Sequence, residues 1–549
     1  MSMYPEPIFE VREITAEVAR SAFPKGNRYM KMRDELGTIY TDEQFADLYP
    51  KVGQPAATPW RLALVTIVQF AEDMTDREAA DAVRSRIDLK YLLGLDLNDP
   101  GFDFSILSEF RTRLLSGGAE ERLLTEMLRQ FQERKWLSAG GKQRSDATHI
   151  VAAVRNLNRL ELVGETLHHA LNVLAQVDPN WLTGQIAEEW YERYGQRFTD
   201  YRLPKKEEER QRIIKVIGQD GYHLLQQIYH DEAPPHLRTI PAVDILRQVW
   251  LQNYYLEEET IHWRDQKKRP PAAVLIQSPY DVAVRNSQKR STQWCGYKVH
   301  LTETCDQETP NLITHVETTS ATDQDVTVVA DMHEQLEEKG LLPQDHLLDG
   351  AYLSADNLVN SQEDYQVNLV GPIREDESWQ ARDKDAFDFT QFEIDWDNES
   401  VTCPRGNQNR YWQPATVRQG KETIQVQFDK ADCLACADRA RCTRSRKEAR
   451  QLTLQPQAQY QALAAARERQ NTAVFKQEYA VRSGVEGTIS QLVFALGLRR
   501  TRYRGLDKTH LQYVASAAAI NLIRIVNWLW EVPRSKTPKS RFAQLAPAS

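Results

Sequence analysis

Trp294-Cys-Gly-Tyr-Lys-Val-His-Leu-Thr-Glu303 places Tyr297, Val299 and Leu301 at every second position, with Lys298, His300 and Thr302 between them. A period of two marks a half-buried β-strand. Upstream, after Gly140-Gly141, the β-branched and apolar run Arg144-Ser-Asp-Ala-Thr-His-Ile-Val-Ala-Ala-Val154 carries Asp146 near its start. Downstream, Asn311-Leu-Ile-Thr-His-Val-Glu-Thr-Thr319 makes another strand, and a helical stretch follows from Val326 to Lys339. His346-Leu-Leu-Asp-Gly-Ala-Tyr352 is a short buried strand ending in Asp349-Gly350. Ser354 then offers a cap to the next helix, and Val367-Asn-Leu-Val-Gly-Pro372 reads as a further strand. Three strands, a helix, a strand, a helix and a strand predict an α/β core with a mixed sheet flanked by helices.

The rest of the chain is arranged around that core. Residues 1–135 read as a helical N-terminal domain, through Trp60–Phe70, Thr75–Val83 and Ser105–Leu114, the last with Ser105 as a candidate cap and Arg111 and Arg113 on it. Short helices with tight connections suit either a DNA-binding helix-turn-helix or a plain bundle. Segments 140–154, 270–380 and 460–530 compose the core. Residues 155–269 form a helical insertion in which Val163, Leu167, Ala170, Leu171 and Leu174 recur at helical spacing. Residues 381–459 form a Cys-rich insertion. In the last helical region Gly497 and Gly505 are breaks, and Thr509 is a candidate cap for the apolar run from Leu511 to Trp530. The tail, 531–549, reads as basic and disordered.

Composition bounds the function. The 549 residues are 41% hydrophobic and 27% charged, with a net charge of −9, as a chain with sizeable cores requires. No stretch is long and apolar enough for a membrane helix, and the N-terminus has no basic region followed by an apolar run. Six cysteines are too few for a disulfide scaffold of this length, which points to a reducing, cytoplasmic setting. Charge is unevenly spread: Arg439 to Lys508 nets +10 against −9 for the whole chain, so the remainder carries −19. The basic stretch, which includes Arg444 and Arg446, reads as a polyanion-binding face or as a solvated charged surface.

Three groups of residues can carry chemistry. Asp146 and Asp349 each adjoin a strand although Asp is depleted from strand interiors. Carboxylates gathered at one sheet edge suit a hard divalent cation, while each Asp alone suits a turn or cap. Tyr479, Arg482 and Glu486 sit at i, i+3 and i+7 on one helical stripe beside Val485, Ile489, Leu492 and Leu496. A helix packed on the sheet then aims Glu486 at the aspartates while Arg482 and Tyr479 meet a phosphate; the alternative is a surface Arg–Glu pair. Cys403, Cys433, Cys436 and Cys442 have the donor type and the single C-x2-C knuckle of a tetrahedral zinc site, against free buried cysteines or partial disulfides. Cys295 and Cys305 read as core residues of the strands.

Four ordered blocks carry a resemblance: Ser-Asp-Ala-Thr-His around Asp146, Trp-Cys-Gly-Tyr-Lys-Val-His at 294–300, Leu-Asp-Gly-Ala-Tyr at 348–352, and Tyr-x-x-Arg-x-x-x-Glu-Gly-Thr-Ile-Ser at 479–490. They resemble the DDE transposases of bacterial insertion sequences. The closer similarity is to the insertion-sequence family numbered eleven-eighty-two, related to the InsH/insertion-sequence-four-like group. Leu498-Arg-Arg-Thr-Arg-Tyr-Arg-Gly-Leu-Asp-Lys-Thr-His-Leu-Gln512 looks like its C-terminal signature. Met74–Ala80 and Phe104–Arg111 resemble its InsH-type N-terminal domain.

The resemblance implies an RNase H-like catalytic core with Asp146, Asp349 and Glu486 as the catalytic, metal-binding triad. It implies two Mg²⁺ (or Mn²⁺) ions, cleavage at terminal inverted repeats, and strand transfer into target DNA by a homodimer or larger synaptic complex on the bacterial nucleoid. One structural Zn²⁺ on the four cysteines is the companion expectation. The related signature has a Lys seven residues after the Glu, where this chain has Val493. Arg499, Arg500 or Arg502 are candidates for that phosphate contact, with Arg504 and Lys508 in the same basic segment. The rival readings are a non-transposing nuclease on the same core and a DNA-binding regulator that has lost catalysis.

Overall fold

The computed structural model describes residues 2–3, 10–306, 308–417, 420–533 and 541. The tail expected to be disordered lies, but for 531–533 and 541, outside the described residues. Its centre is a six-stranded sheet, whose strands are numbered here in chain order. They are β1 (Lys142–Val151), β2 (Arg285–Lys289), β3 (Thr292–Thr304), β4 (Ile313–Ser320), β5 (Asp345–Leu347) and β6 (Asn368–Val370). β3 pairs antiparallel with β1, β2 and β4, whereas β1, β5 and β6 run parallel. This mixed sheet, flanked by helices, is consistent with an RNase H-like core.

Helices close both faces. Val329–Glu338 and Ala355–Tyr365 make the parallel crossovers, and Ser354 caps the second by accepting from Asn357 N at 3.0 Å. The 24-residue helix Leu506–Leu529 packs on β4 with one face and on Pro59–Ala71 with another, so it is buried nearly all round. As a result, the helices between Arg28 and Glu133 share one continuous apolar core with the sheet. Two sequence expectations about caps change here. Thr509 lies inside the helix, bonded to Gly505 O, because Gly505 at φ 95° already turns the chain and lets the helix begin at Leu506. Ser105 is the first helical residue, with Asp103 accepting from its N–H.

Two smaller apolar clusters stand apart from the central core. One unites the helices Arg159–Val177, Glu207–Tyr229 and Pro241–Asn253. The first of these helices starts with a capping box between Asn158 and Glu161. The other cluster gathers Phe387, Phe392, Val401, Val426, Phe428, Leu452 and Leu454 around the three-stranded sheet Asn409–Thr416, Glu422–Phe428 and Gln451–Leu454. Among the described residues no helix is long and apolar enough to cross a membrane.

Candidate functional site

Strand alternation on β1 sends Arg144, Asp146 and Thr148 to one face and Gln143 and Ser145 to the other. Ser145 meets His346 and Thr302 beneath helix Val329–Glu338, while Arg144 and Asp146 face the C-terminal helices. β1 and β5 pair in parallel register, Gln143 with His346 and Arg144 with Leu347. Two residues further along each chain come Asp146, still on β1, and Asp349, just past the end of β5, near enough for Asp349 to act on the Asp146 carboxyl. Each carboxylate accepts the N–H of the next residue, Ala147 at 2.8 Å and Gly350 at 2.7 Å. Gly350 and Gly371 are required here, because a Cβ on either would meet a backbone oxygen at 2.7 or 2.3 Å.

The third carboxylate arrives on a helix. Ala473–Ala480, a 3₁₀ turn at Val481–Ser483, and Gly484–Ser490 run on as one rod, with Thr472 capping its start. Val485, Leu492 and Leu496 are buried as their spacing predicts, each contributing about 1.5–3 kcal/mol. Arg482 lies between the carboxylates, with Nη2 2.9 Å from Asp146 Oδ2 and Nη1 3.8 Å from Glu486 Oε1. Its side chain is 11% exposed, whereas that of Glu486 is 68% exposed. The Asp146 contact is an ion pair without hydrogen-bond alignment: Arg482 Nε and Nη2 are buried with no acceptor among the described residues. Burial pushes the Asp146 carboxyl above the ordinary carboxylate range; Arg482, the Ala147 N–H and Lys289 pull it down, and Asp349 adds to the rise. Burial likewise raises Tyr479, whose ring stacks on Phe475 at 5.5 Å and which feels Arg482, Asp349, Asp146 and Glu486. Arg482 thus links the Asp146 strand to Glu486, and Tyr479 and Asp349 lie within electrostatic reach of it, while the three carboxylates stay too far apart to form a cluster.

Among the described residues, no three His, Cys, Asp or Glu side chains stand close enough to hold an ion. The carboxylates suit Mg²⁺ or Mn²⁺ in donor chemistry, and Arg482 supplies the positive charge between two of them. Cys403, Cys433, Cys436 and Cys442 line one cavity of about 30 Å³ beside Phe392 and Phe428, all as free thiols that face the same space without standing at ligand spacing. Burial raises the Cys442 thiol to about 11, with Cys433, Cys403 and Cys436 adding to the shift and Arg450 opposing it. Soft donors around one small cavity fit Zn²⁺ by type.

The basic residues divide into two groups. Arg499 donates to Thr148 Oγ1 at 2.9 Å and His149 O at 2.6 Å. Arg502 donates to Met74 O at 2.6 Å and pairs with Asp73, tying this segment to the N-terminal helices. Arg500, Arg504, Lys508, Arg444 and Arg446 are exposed, Arg504 over the Tyr280 ring and Arg444 over Trp379. Val493 is 6% exposed and points into the core.

Three residues escaped the sequence reading. Glu303, with no exposed surface, accepts from Arg144 at 2.6 and 2.8 Å, from Arg524 at 2.8 Å and from Thr488 at 2.6 Å. Arg144 also donates to Val481 O at 2.6 Å, and a Cβ on Gly484 would strike its guanidinium at 2.2 Å. This cluster bolts the Glu486 helix to the sheet. The available signal was a Glu at an inward position of an alternating strand. Lys289, on the β2–β3 hairpin, is near enough to act on Asp146.

Residues 402–526 match a family described as a transposase DDE domain, and residues 17–113 match a transposase domain (DUF772). The chain carries two transposase domains. The transposase DDE domain contains Cys403, Cys433, Cys436, Cys442, Tyr479, Arg482 and Glu486, while Asp146, on β1, and Asp349, just after β5, lie outside the matched stretch. The second match spans the N-terminal helices from Glu13–Ala22 to Ser105–Ser116. No curated protein matches the chain.

Proposed function

We propose that the protein is a DDE transposase of the insertion-sequence family numbered eleven-eighty-two, working in the bacterial cytoplasm on nucleoid DNA. It cuts phosphodiester bonds at transposon-end inverted repeats and joins the freed 3′ hydroxyls to target DNA as a homodimer or larger assembly. The observation that carries this reading is Arg482, a buried guanidinium beside Asp146 with N–H groups lacking acceptors. A phosphate oxygen satisfies such groups, and Arg is suited to bind it bidentately.

Asp146 and Asp349 are fixed by neighbouring strands, and Glu486 comes from a helix anchored through Glu303. Arg482 can leave Asp146 for the scissile phosphate, which frees a carboxylate whose desolvation makes a cationic partner favourable. Tyr479 flanks that phosphate from the same stripe. Mg²⁺ or Mn²⁺ held by Asp146, Asp349 and Glu486 would supply an activated oxygen nucleophile and a stabilised leaving oxygen. Zn²⁺ on Cys403, Cys433, Cys436 and Cys442 would serve as a structural staple for the small sheet beside the core. The exposed Arg444, Arg446, Arg500, Arg504 and Lys508 provide phosphate contacts along the DNA path.

The test is cleavage and joining of a labelled duplex that carries the terminal repeats bordering the protein's own gene. Asp349→Asn should bind this DNA like wild type and lose both reactions. Normal cleavage by this variant would remove Asp349 from the site. Cleavage without joining by the wild type would favour a nuclease.

A further inference from the structure

The rod that carries Glu486 does not continue as a regular helix. After Ser490 the chain enters a π-helical turn, Gln491–Ala495, and Leu498 N reaches back to Leu492 O at 3.3 Å. One α turn holds about 3.6 residues and the wider π turn about 4.4, so the two together take up roughly eight. The residue in line with Glu486, two turns on, is therefore Phe494. In an uninterrupted α-helix it would be Val493, about seven residues on. Exposure agrees with this count: Val493 is 6% exposed and Phe494 is 81% exposed.

Phe494 is an unusual surface residue, because an aromatic ring left in water forgoes a large burial gain. The face between it and Glu486 is bare: Gly487 has no neighbour within 4 Å of where a Cβ would stand, and Ser490 is exposed. The chain then bends through Gly497 to Arg500, which is exposed and whose backbone bridges Val151 at the end of the Asp146 strand. A flat aromatic face thus lies roughly 10 Å along the rod from a candidate catalytic carboxylate, in a segment of strongly positive charge. Stacked bases are spaced about 3.4 Å apart along a strand, so the gap corresponds to roughly three nucleotides.

We infer that Phe494 is a base-contacting residue: its ring stacks on an unpaired base of the DNA strand whose scissile phosphate lies at Asp146, Asp349 and Glu486. The inference rests on the transposase reading and adds to it a means of holding an opened DNA end. Every base offers a π-face, so the contact is tolerant of sequence. Its cost is the unpairing of one nucleotide, which is least at a duplex end or mismatch. The π turn supplies the aim, since it moves a core-facing position out of line and brings an exposed one in.

The experiment uses the full-length protein and duplexes with its own terminal repeats, carrying 2-aminopurine at successive positions beside the cut site. Wild type should brighten the probe at one position within about three nucleotides of the cut, because a 2-aminopurine moved from between its neighbouring bases onto a phenyl ring escapes the quenching those bases cause. Phe494→Ala should lose that signal and slow cleavage of paired ends by about 5- to 150-fold, the range carried by stacking one base on an aromatic ring. Phe494→Trp should retain the cleavage rate while its stacked indole dims the probe, and a mismatch at the responsive position should recover most of the rate lost in Phe494→Ala. Unchanged fluorescence and cleavage in Phe494→Ala would overturn the inference and leave the transposase reading standing. A change only in the size of the protein assembly would also overturn it, by assigning Phe494 to a contact between copies. Failure of the wild type to bind and cut these ends would overturn both.

Discussion

Replacing Glu303 by Gln should undock the Glu486 helix. The substitution keeps the shape and removes the one negative charge that Arg144 and Arg524 share within hydrogen-bond distance. Each charge-assisted bond is worth about 1.5–3 kcal/mol, and leaving a buried ion without its partner typically costs about 3–5 kcal/mol. The lower part of that range suits Arg524, whose side chain is 18% exposed, and the upper part suits Arg144 at 6%. The chain contains several apolar cores, so one global unfolding energy is the wrong observable. Hydrogen exchange reads the local opening directly. A loss of about 3–5 kcal/mol corresponds to roughly 10²- to 10⁴-fold faster exchange of the amides at 481–495. The helices of the separate cluster between Leu160 and Ile276 should exchange as before, and DNA cleavage should fall with DNA binding retained. Wild-type protection at 481–495 in Glu303→Gln would refute the argument, since the helix would then be held by Val485, Leu492 and Leu496 alone.

Three further outcomes follow from the same structure. Neutralising Arg444 and Arg446 together should flatten the slope of log affinity against log salt by about 0.9 per lost phosphate contact, whereas Arg502→Gln should leave the slope and weaken the docking of the N-terminal helices. Purified protein should hold about one Zn per chain, lost in Cys433→Ser; a metal-free, folded and active protein would exclude the site. Burial pushes His300 and His333 down to about 4, and pushes His315 and His346 well below the usual histidine range. The unfolded chain alone then gains these protons as pH falls below about 6.5, so stability should drop by up to about 1.4 kcal/mol per pH unit per histidine. His510 opposes this: burial would lower it, but its bond to Glu121 raises it, so its contribution is full below about 6.5 and fades as pH rises through its raised value. Melting curves between pH 5 and 8 should therefore flatten on the acid side in His346→Gln, and an unchanged slope would contradict the buried neutral state.

Much of the local structure is legible in the residues. Alternation at Tyr297, Val299 and Leu301, the stripe of Val485, Ile489, Leu492 and Leu496, and the cap at Ser354 each depend on neighbours a few positions away. Steric and hydrogen-bonding preferences act at that range, so five of the six strands could be read in order; the sixth, Arg285–Lys289, is a polar edge strand with no apolar alternation to mark it. The same range suggested stripe positions for Tyr479, Arg482 and Glu486, and the fold keeps them on one side of the rod.

Other features depend on partners far along the chain. Asp146 and Asp349 are neighbours only because β1 and β5 pair in one register, and a slip of one residue would turn either carboxylate to the opposite face. Arg499 and Arg502 look like any basic residues in a basic run until Thr148, His149, Met74 and Asp73 arrive as their partners. Glu303 became an anchor when Arg144, Thr488 and Arg524 closed on it from three separate segments. The π turn replaced Val493 by Phe494 on the exposed line, a shift of one residue that local preference does not specify. Short-range preference decided which elements form and which faces are apolar. Long-range packing decided which charges meet, because a buried ion is tolerated only where the assembled fold brings it a partner.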